Sequence, residues 1–384
     1  MVIRQRTLLC VAGGFLLLVQ LAQADWRERF VDPEDGHFDT SEWLATRTGF
    51  LPIPILITEP AVGYGGGVAL AFFHGQFRGT SIDDGRGGKR RVAPSVSAVA
   101  AGGTENGTRF IGGGHLGIWK EDRIRYLGGI GYGEIRMDYY GRSGELGNRP
   151  VSFDSEAFGF LQELQFRLGD SPFFAGVGYR LVDTRNRFDA SGLLPIPGLP
   201  SIDFDSRSAG ISVSLKYDSR DNIFTPNEGL DAELNLSFNG RNWGGDDDFN
   251  RYTAFVKYYR RLGASWVLGL RGDAKAVDGD APFYEYPFVD MRGIKVMRYQ
   301  GEKTLLGEME LRWTFTPRWT LVGFGGVART FSGFSGGDSD AIHAGGMGIR
   351  YLVARKLGLQ AGIDLARGPE DTAIYFQVGS AWMR

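Results

Sequence analysis

A strict alternation of apolar and polar residues is the feature that most constrains the fold of this chain. Leu230, Leu234 and Phe238 share one parity, whereas Asp231 and Glu233 take the other. A period of two places the two sets on opposite faces of a β-strand. Similar stretches recur through most of the sequence and are separated by Gly- and Asp-rich turns. The pattern predicts an all-β protein whose strands have one apolar and one wet face, with Leu230 meeting lipid and Asp231 a lumen.

The N-terminus has the composition of a secretory signal. Arg4 and Arg6 precede the apolar run Leu8–Leu21, and Ala22–Ala24 has the small-x-small pattern of a cleavage site. The apolar run is shorter than the roughly 20 residues of a transmembrane helix. We therefore expect an exported protein whose mature chain begins near Asp25.

The composition fits a barrel wall better than a helical protein. Glycine occurs 58 times in 384 residues, about twice its usual share of roughly 7%. Such a density disfavours helices and suits bent strands. The net charge of -2 gives no indication of a nucleic-acid partner. Cys10 is the only cysteine and lies in the signal, so we expect no disulfide.

The lengths of the connections give a second constraint. We count fifteen strand-like stretches after residue 60, and most exceed the roughly 9–11 residues that cross a bilayer as a tilted strand. Tight turns such as Lys120–Asp122 mostly alternate with long loops such as Asp278–Glu302, a pattern typical of bacterial outer-membrane barrels. Gly368–Asp371 is shorter, and Ser219–Asn227 longer, than this alternation predicts.

Single-chain bacterial barrels have an even number of strands, so we expect one more strand within Phe50–Pro60. The predicted organisation is a signal peptide over 1–24, a short periplasmic tail over 25–49, and a transmembrane antiparallel β-barrel over 50–384. We predict 16 strands, with 14 as the alternative, in the outer membrane of a Gram-negative bacterium. A soluble β-sandwich or propeller is the alternative fold, but the strand lengths and the aromatic residues near strand ends favour the barrel.

Four stretches resemble a known family. They are Tyr217–Gly229, Met291–Ile294, Gly323–Val327 and Gly348–Trp382. Together they are similar to the barrel of the BamA/TamA-type outer-membrane assembly factors, the bacterial surface antigen superfamily. The resemblance implies a loop that folds inward, with Arg292 and Gly293 at its tip.

The resemblance also implies that the tip arginine meets acidic side chains on the strands that follow. Glu310 is the expected partner, because it lies on the polar face of its strand. Phe324 has the inward parity that the family shows, but the aspartate that usually follows two residues later is replaced by Gly326. Glu308 or Asp364 could replace that carboxylate, and the sequence leaves both open.

The C-terminal stretch adds two expectations. Arg350 and Asp364 share the polar parity of neighbouring strands, so we expect a luminal ion pair. Phe376 and Trp382 resemble the terminal aromatic signal that insertion machinery reads, although Met383 follows the last aromatic residue.

The resemblance implies a protein that assists the insertion or translocation of proteins or lipids, through a seam between the first and last strands. The glycine-rich stretch Gly63–Gly67 is expected in the first long strand, where it would loosen that seam. Family members that insert or secrete proteins carry POTRA modules, whereas 25–49 is far below the roughly 50 residues of a small domain. We therefore expect a barrel without them. A passive or gated solute channel and a structural surface antigen are the alternatives.

The expected partners follow from that reading. They are outer-membrane lipid and lipopolysaccharide, the insertion machinery during biogenesis, and, as a further candidate, a separate periplasmic protein. We expect no enzyme, cofactor or metal, because no Gly-x-Ser-x-Gly elbow occurs. The four histidines have no metal-ligand spacing with one another; they are His37, His74, His115 and His343.

Overall fold

The computed structural model describes residues 30–46, 50–74, 80–83, 89–92, 94–140, 151–189, 201–331 and 340–382. The predicted signal peptide lies outside these ranges. No helix in the described part of the chain is both long and apolar enough to cross a membrane.

Sixteen strands form one antiparallel sheet that is rolled into a nearly closed barrel. Each strand pairs with its neighbour in the chain, except that a small separate hairpin lies between the second and third strands of the barrel. The strands are β1 (Phe50–Ile57), β2 (Gly65–His74), the hairpin β3 (Thr80–Asp83) and β4 (Lys89–Val92), β5 (Ser95–Thr104), β6 (Arg109–Trp119), β7 (Ile124–Tyr139), β8 (Val151–Arg167), β9 (Phe173–Phe188), β10 (Ile202–Asp218), β11 (Gly229–Asn239), β12 (Phe249–Arg261), β13 (Trp266–Gly279), β14 (Lys303–Thr314), β15 (Trp319–Phe331), β16 (Ile342–Ala354), β17 (Leu359–Arg367) and β18 (Thr372–Val378).

The prediction of a 16-stranded transmembrane-type barrel is therefore confirmed. The strand that the alternation of polarity did not separate is β1, and it lies in the segment where we expected it. Its sequence, FLPIPILI, is apolar at nearly every position, so a period of two cannot reveal it.

The two faces of the strands differ as the alternation predicts. On β11, Leu234 and Phe238 are 47% and 41% exposed on the outside of the barrel, whereas Asp231 is 2% exposed inside it. The wall is therefore apolar outside and polar inside, the arrangement of a barrel that meets lipid.

The barrel has two distinct ends. We call the end that carries tight connections, such as 120–123 and 262–265, the turn end, and the opposite one the loop end.

Two positions differ from the sequence predictions. The last strand ends at Val378, so Trp382 lies beyond it. The glycine-rich stretch leads into β2, which has β1 and β5 on its two sides, so it is not at the seam.

Candidate functional site

The junction between the first and last strands, which we call the seam, is a part of the wall where neighbouring described strands are not paired with each other. Among the described residues, β1 pairs only with β2, and β18 only with β17. Pro52 and Pro54 lie within β1 and lack the backbone N–H that a ladder needs. Both strands are short. Because each is paired on one side only, the sheet has two edges of the kind that template new pairing.

The connection from β13 to β14, residues 280–302, folds into the barrel and is here called the lumen loop. Its apolar side chains Val289, Met291 and Ile294 are buried against Ala328 and Ile342 on the inner wall. This cluster anchors the loop by removing apolar area from water. The inward-folded loop that the resemblance implied is thus present.

Arg292, at the tip of the lumen loop, is held by two carboxylates and a ring. Its Nη1 donates to Oδ2 of Asp364 at 2.8 Å, and its Nη2 lies 2.8 Å from Oε2 of Glu310. The guanidinium also stacks over Phe324, with 3.6 Å to the ring centroid, where a cation–π interaction adds to the ion pairs. The structure therefore brings together the tip arginine and the partners that the sequence proposed.

The carboxylate that the sequence left undecided is Asp364. Glu308 lies farther from the tip arginine, with 3.9 Å between Arg292 Nε and its Oε1, because it is bound by Arg271 at 2.6 Å. Arg350 holds the other side of Asp364 at 2.6 Å. Arg271 was not identified from the sequence, although its parity on β13 placed it in the lumen.

The surroundings of Gly326 on β15 explain why this position holds no aspartate. A Cβ at this position would lie 2.6 Å from Sδ of Met291 and 2.7 Å from Cγ of Glu308. The space that an aspartate would need is filled by Met291 of the lumen loop and Glu308 of β14. Asp364, on β17, supplies the second carboxylate from two strands away.

The tip of the lumen loop touches both sides of the seam. On the β18 side, the Gly293 N–H donates to Oη of Tyr375 at 3.0 Å, and Lys295 Nζ pairs with Asp371 at 2.7 Å. On the β1 side, the Val296 N–H donates to Oε1 of Glu59 at 3.2 Å. The short 368–371 connection is therefore a docking point for the loop.

Glu59 is partly enclosed by this contact. Burial raises the pKa of its carboxyl, and the N–H groups of Val296 and Ala61 lower it by a smaller amount. The carboxyl follows β1 directly, so its contact with Val296 couples the first strand to the loop.

The turn end is closed by the connection from β10 to β11. Asn222 donates through Nδ2 to the Leu357 carbonyl at 2.8 Å, and the Ser380 N–H donates to the Phe224 carbonyl at 2.6 Å. Arg312 donates to the Pro226 carbonyl. The unexpected length of 219–227 is therefore used to cross the barrel mouth.

The two C-terminal aromatic residues lie in different surroundings. Phe376 faces outward on β18 and is exposed. Trp382 is 2% exposed and packs beside Gly269 and against the Tyr259 ring, with 5.9 Å between centroids. Trp382 is thus a packing residue at the turn end, beyond the last strand.

Residues 30–46 are here called the N-terminal strap. They bind the turns that join β14 to β15 and β16 to β17, on the β18 side of the seam. Arg318, 1% exposed at its side chain, is surrounded by Asp32 at 2.7 Å, Asp35 at 2.5 Å and Asp39. The hydrogen bond from Arg318 lowers the pKa of Asp35 to about 2. Buried arginine with three carboxylates forms a strong multidentate contact.

The strap also reaches β2. Trp43 packs on a buried contact between Ala71 of β2 and Ala354 of β16. The Thr40 N–H donates to the Val353 carbonyl at 2.7 Å. The strap therefore bridges the seam at the turn end, as the lumen loop bridges it at the loop end.

The lumen also holds a cavity of about 600 Å³, to whose lining Ile223 and Phe224 of the connection from β10 to β11 contribute. Its wall carries alternating charges: Lys216 lies 3.1 Å from Asp231 and 3.0 Å from Glu233. Charged side chains therefore line part of this cavity.

The fold and this site define a transmembrane-type β-barrel with a loop locked in its lumen. Residues 148–289 match the Omp85 superfamily domain. The barrel fold agrees with this similarity, which is in line with the resemblance to BamA/TamA-type barrels seen in the sequence. Comparison of the sequence with curated proteins finds no match.

Solved structures share the fold. BamA from Haemophilus ducreyi lacking POTRA domains 1–3 superposes with a TM-score of 0.55 at 12% identity, over 87% of this chain and 70% of that one. CdiB from Acinetobacter baumannii gives 0.53 at 9% identity, over 86% and 59%. CdiB from Escherichia coli gives 0.53 at 10% identity, over 85% and 61%. The chain thus spans about three-fifths of each CdiB chain, and at these identities the likeness concerns the fold alone.

Proposed function

We propose that this barrel assists the insertion or translocation of proteins or lipids at the outer membrane of a Gram-negative bacterium, by opening the seam between β1 and β18. The observation that carries the proposal is that the lumen loop contacts Glu59 on one side of the seam and Tyr375 on the other. A loop placed in this way can hold the seam shut or release it.

The seam edges supply the chemistry. An opened β1 or β18 presents unpaired backbone groups, and an incoming strand can pair with them by β-augmentation. The matches to the Omp85 superfamily domain and to the BamA and CdiB barrels support this class of activity. Outer-membrane lipid, lipopolysaccharide, the insertion machinery and a periplasmic protein are the proposed partners.

The test uses liposomes with and without the purified protein, to which an unfolded reporter barrel is added. The fraction of folded reporter is read from its gel shift on unheated samples. The proposal expects faster reporter folding in the presence of the protein than with an unrelated barrel of similar size. Equal rates would reject it.

The charged lumen cavity favours a second candidate, a gated solute channel. The lumen loop would then be the gate, and Arg292→Ala would raise conductance in planar bilayers. Steady conductance without any effect on reporter folding would favour the channel over the insertion role.

A further inference from the structure

The outer wall of the barrel is apolar over most of its circumference. On β10, β11, β13, β14 and β17 the outward positions at mid-strand carry exposed apolar side chains, as they should against hydrocarbon. Examples are Val213, Leu234, Leu270, Met309 and Ile363.

One part of the wall departs from this rule. On β2, β5 and β6, the outward side chains His74, Ser97 and His115 form a hydrogen-bonded row, which we call the outer polar patch. Ser97 Oγ lies 2.7 Å from Nε2 of His74 and 2.8 Å from Nδ1 of His115. Ser97 shares its parity with Val99, which is 53% exposed on the outside, so the patch faces the membrane and not the lumen.

Aromatic and amide groups extend the patch along the wall. The His115 ring lies 5.9 Å from the Tyr126 ring and 6.2 Å from the Trp119 ring. The Tyr126 hydroxyl donates to Gln162 on β8. Trp119 is the last residue of β6 at the turn end, and tryptophan favours the interface between hydrocarbon and headgroups. The patch therefore lies at or just inside the headgroup level of the leaflet at the turn end.

The hydrogen-bonding capacity of the patch is not used up internally. The Ser97 hydroxyl has one proton, so it donates to one imidazole and accepts from the other. With both rings neutral, the outer nitrogens of His74 and His115 are then one donor and one acceptor. Among the described residues, neither imidazole has a hydrogen bond other than the one to Ser97. Polar groups left in this state against hydrocarbon are costly, so a polar ligand at the patch would be stabilising.

A groove leads away from the patch across the same outer face. It has a volume of about 430 Å³, and Leu70, Val99, Ile130 and Phe160 contribute to its lining. Gly113, which has no side chain, also contributes to the lining. An apolar groove joined to a polar patch at headgroup level has the shape of an amphiphile with one acyl chain along the wall.

We propose that the outer polar patch and its groove bind a phospholipid of the leaflet at the turn end. The phosphodiester accepts a hydrogen bond at the His74–Ser97–His115 row, and one acyl chain lies over Gly113. The patch lies on the second, third and fourth strands counted from the seam. Its occupation does not depend on seam opening, so the test of this site is independent of the proposed function.

Native mass spectrometry of the purified full-length protein, after stepwise removal of lipid in detergent, tests the site. The wild type is expected to retain a bound phospholipid, identified by its mass, after bulk lipid is gone. A His74→Leu/Ser97→Ala/His115→Leu variant should bind added phosphatidylglycerol about tenfold more weakly, as expected for lost hydrogen bonds to a charged group. Val99→Trp, which fills the groove and leaves the patch intact, should also weaken binding.

His343→Leu is the matched control, because His343 is an exposed histidine at the loop end of β16 and should leave retention unchanged. Heat-dependent gel migration confirms that every variant has folded. Equal phospholipid retention in the wild type and both site variants would overturn the proposal. Binding of added inorganic phosphate without any lipid adduct would overturn it as well, because the headgroup chemistry would then serve a free anion.

Discussion

Arg292 and Asp364 meet across the lumen with 2.8 Å between Nη1 and Oδ2, although they are 72 positions apart in the chain. The carboxylate lies on β17, next to the seam strand β18, and is 0% exposed. Arg350 holds its other oxygen at 2.6 Å. The pair therefore fixes the tip of the lumen loop to the wall beside the seam, and its loss should be felt both in stability and in access to the loop.

Asp364→Asn should destabilise the barrel strongly, because it leaves Arg292 and Arg350 with one buried carboxylate fewer. Breaking a buried ion pair costs about 3–5 kcal/mol. The temperature at which the unheated gel form is lost should fall, and the lumen loop should become sensitive to protease. Glu134→Gln is the control, since its partner Arg109 is 71% exposed at the side chain and surface pairs contribute about 1 kcal/mol or less.

Glu310→Arg should free the same loop from its other carboxylate. The introduced cation would face Arg292, from which Glu310 is separated by 2.8 Å, so the loop should leave its seat. Unchanged protease access and unchanged thermal stability would show that the pairing does not hold the loop.

Gly326→Ala should destabilise the protein, and Gly326→Asp should do so more. The added Cβ would meet Met291 Sδ and Glu308 Cγ, and overpacking of this kind costs about 1–3 kcal/mol. Gly323→Ala on the same strand is the control, because nothing lies within 4 Å of its Cβ position. A Gly326→Asp protein as stable as the wild type would contradict the view that the loop occupies this space.

The N-terminal strap should detach at low pH. Asp35 has a folded-state pKa of about 2, below the unfolded value of about 3.9. A lowered pKa stabilises the folded contact above the unfolded pKa, and this stabilisation is lost as pH falls from about 4 towards 2. A fluorophore on His37→Cys should report release over that window. Arg318→Met should release the strap already at neutral pH, and an Arg318→Met signal equal to that of the wild type would count against the contact.

The fold could be predicted from the sequence wherever polarity alternates, as on β11. Prediction from alternation failed where both faces of a strand are apolar, as on β1. It also failed where the last strand ends early, before Trp382. Alternation cannot distinguish a residue in a strand from one that turns inward just after it.

The site was predicted in part because Arg292, Glu310 and Phe324 stand in a recognisable local pattern. The choice of Asp364 over Glu308 depends on Arg271, which binds Glu308 from a neighbouring strand. A sequence gives parity, but the distance between side chains on β13, β14 and β17 depends on the register and on the path of the loop. The contact of Val296 with Glu59 has no local signal at all.

The most direct test of the account is a cleavable cross-link across the seam itself. Cysteines at Glu59 and Asp371 flank the loop residues Val296 and Lys295, which they contact, and a short flexible cross-linker joins them over the seam. A Lys295→Cys/Asp371→Cys pair, linked in the same way, joins the loop to one side only and is the control. We predict that the cross-seam link stops the protein from accelerating reporter folding in liposomes and that cleavage restores it. Reporter folding at the unlinked rate in the fully cross-linked protein would contradict seam opening.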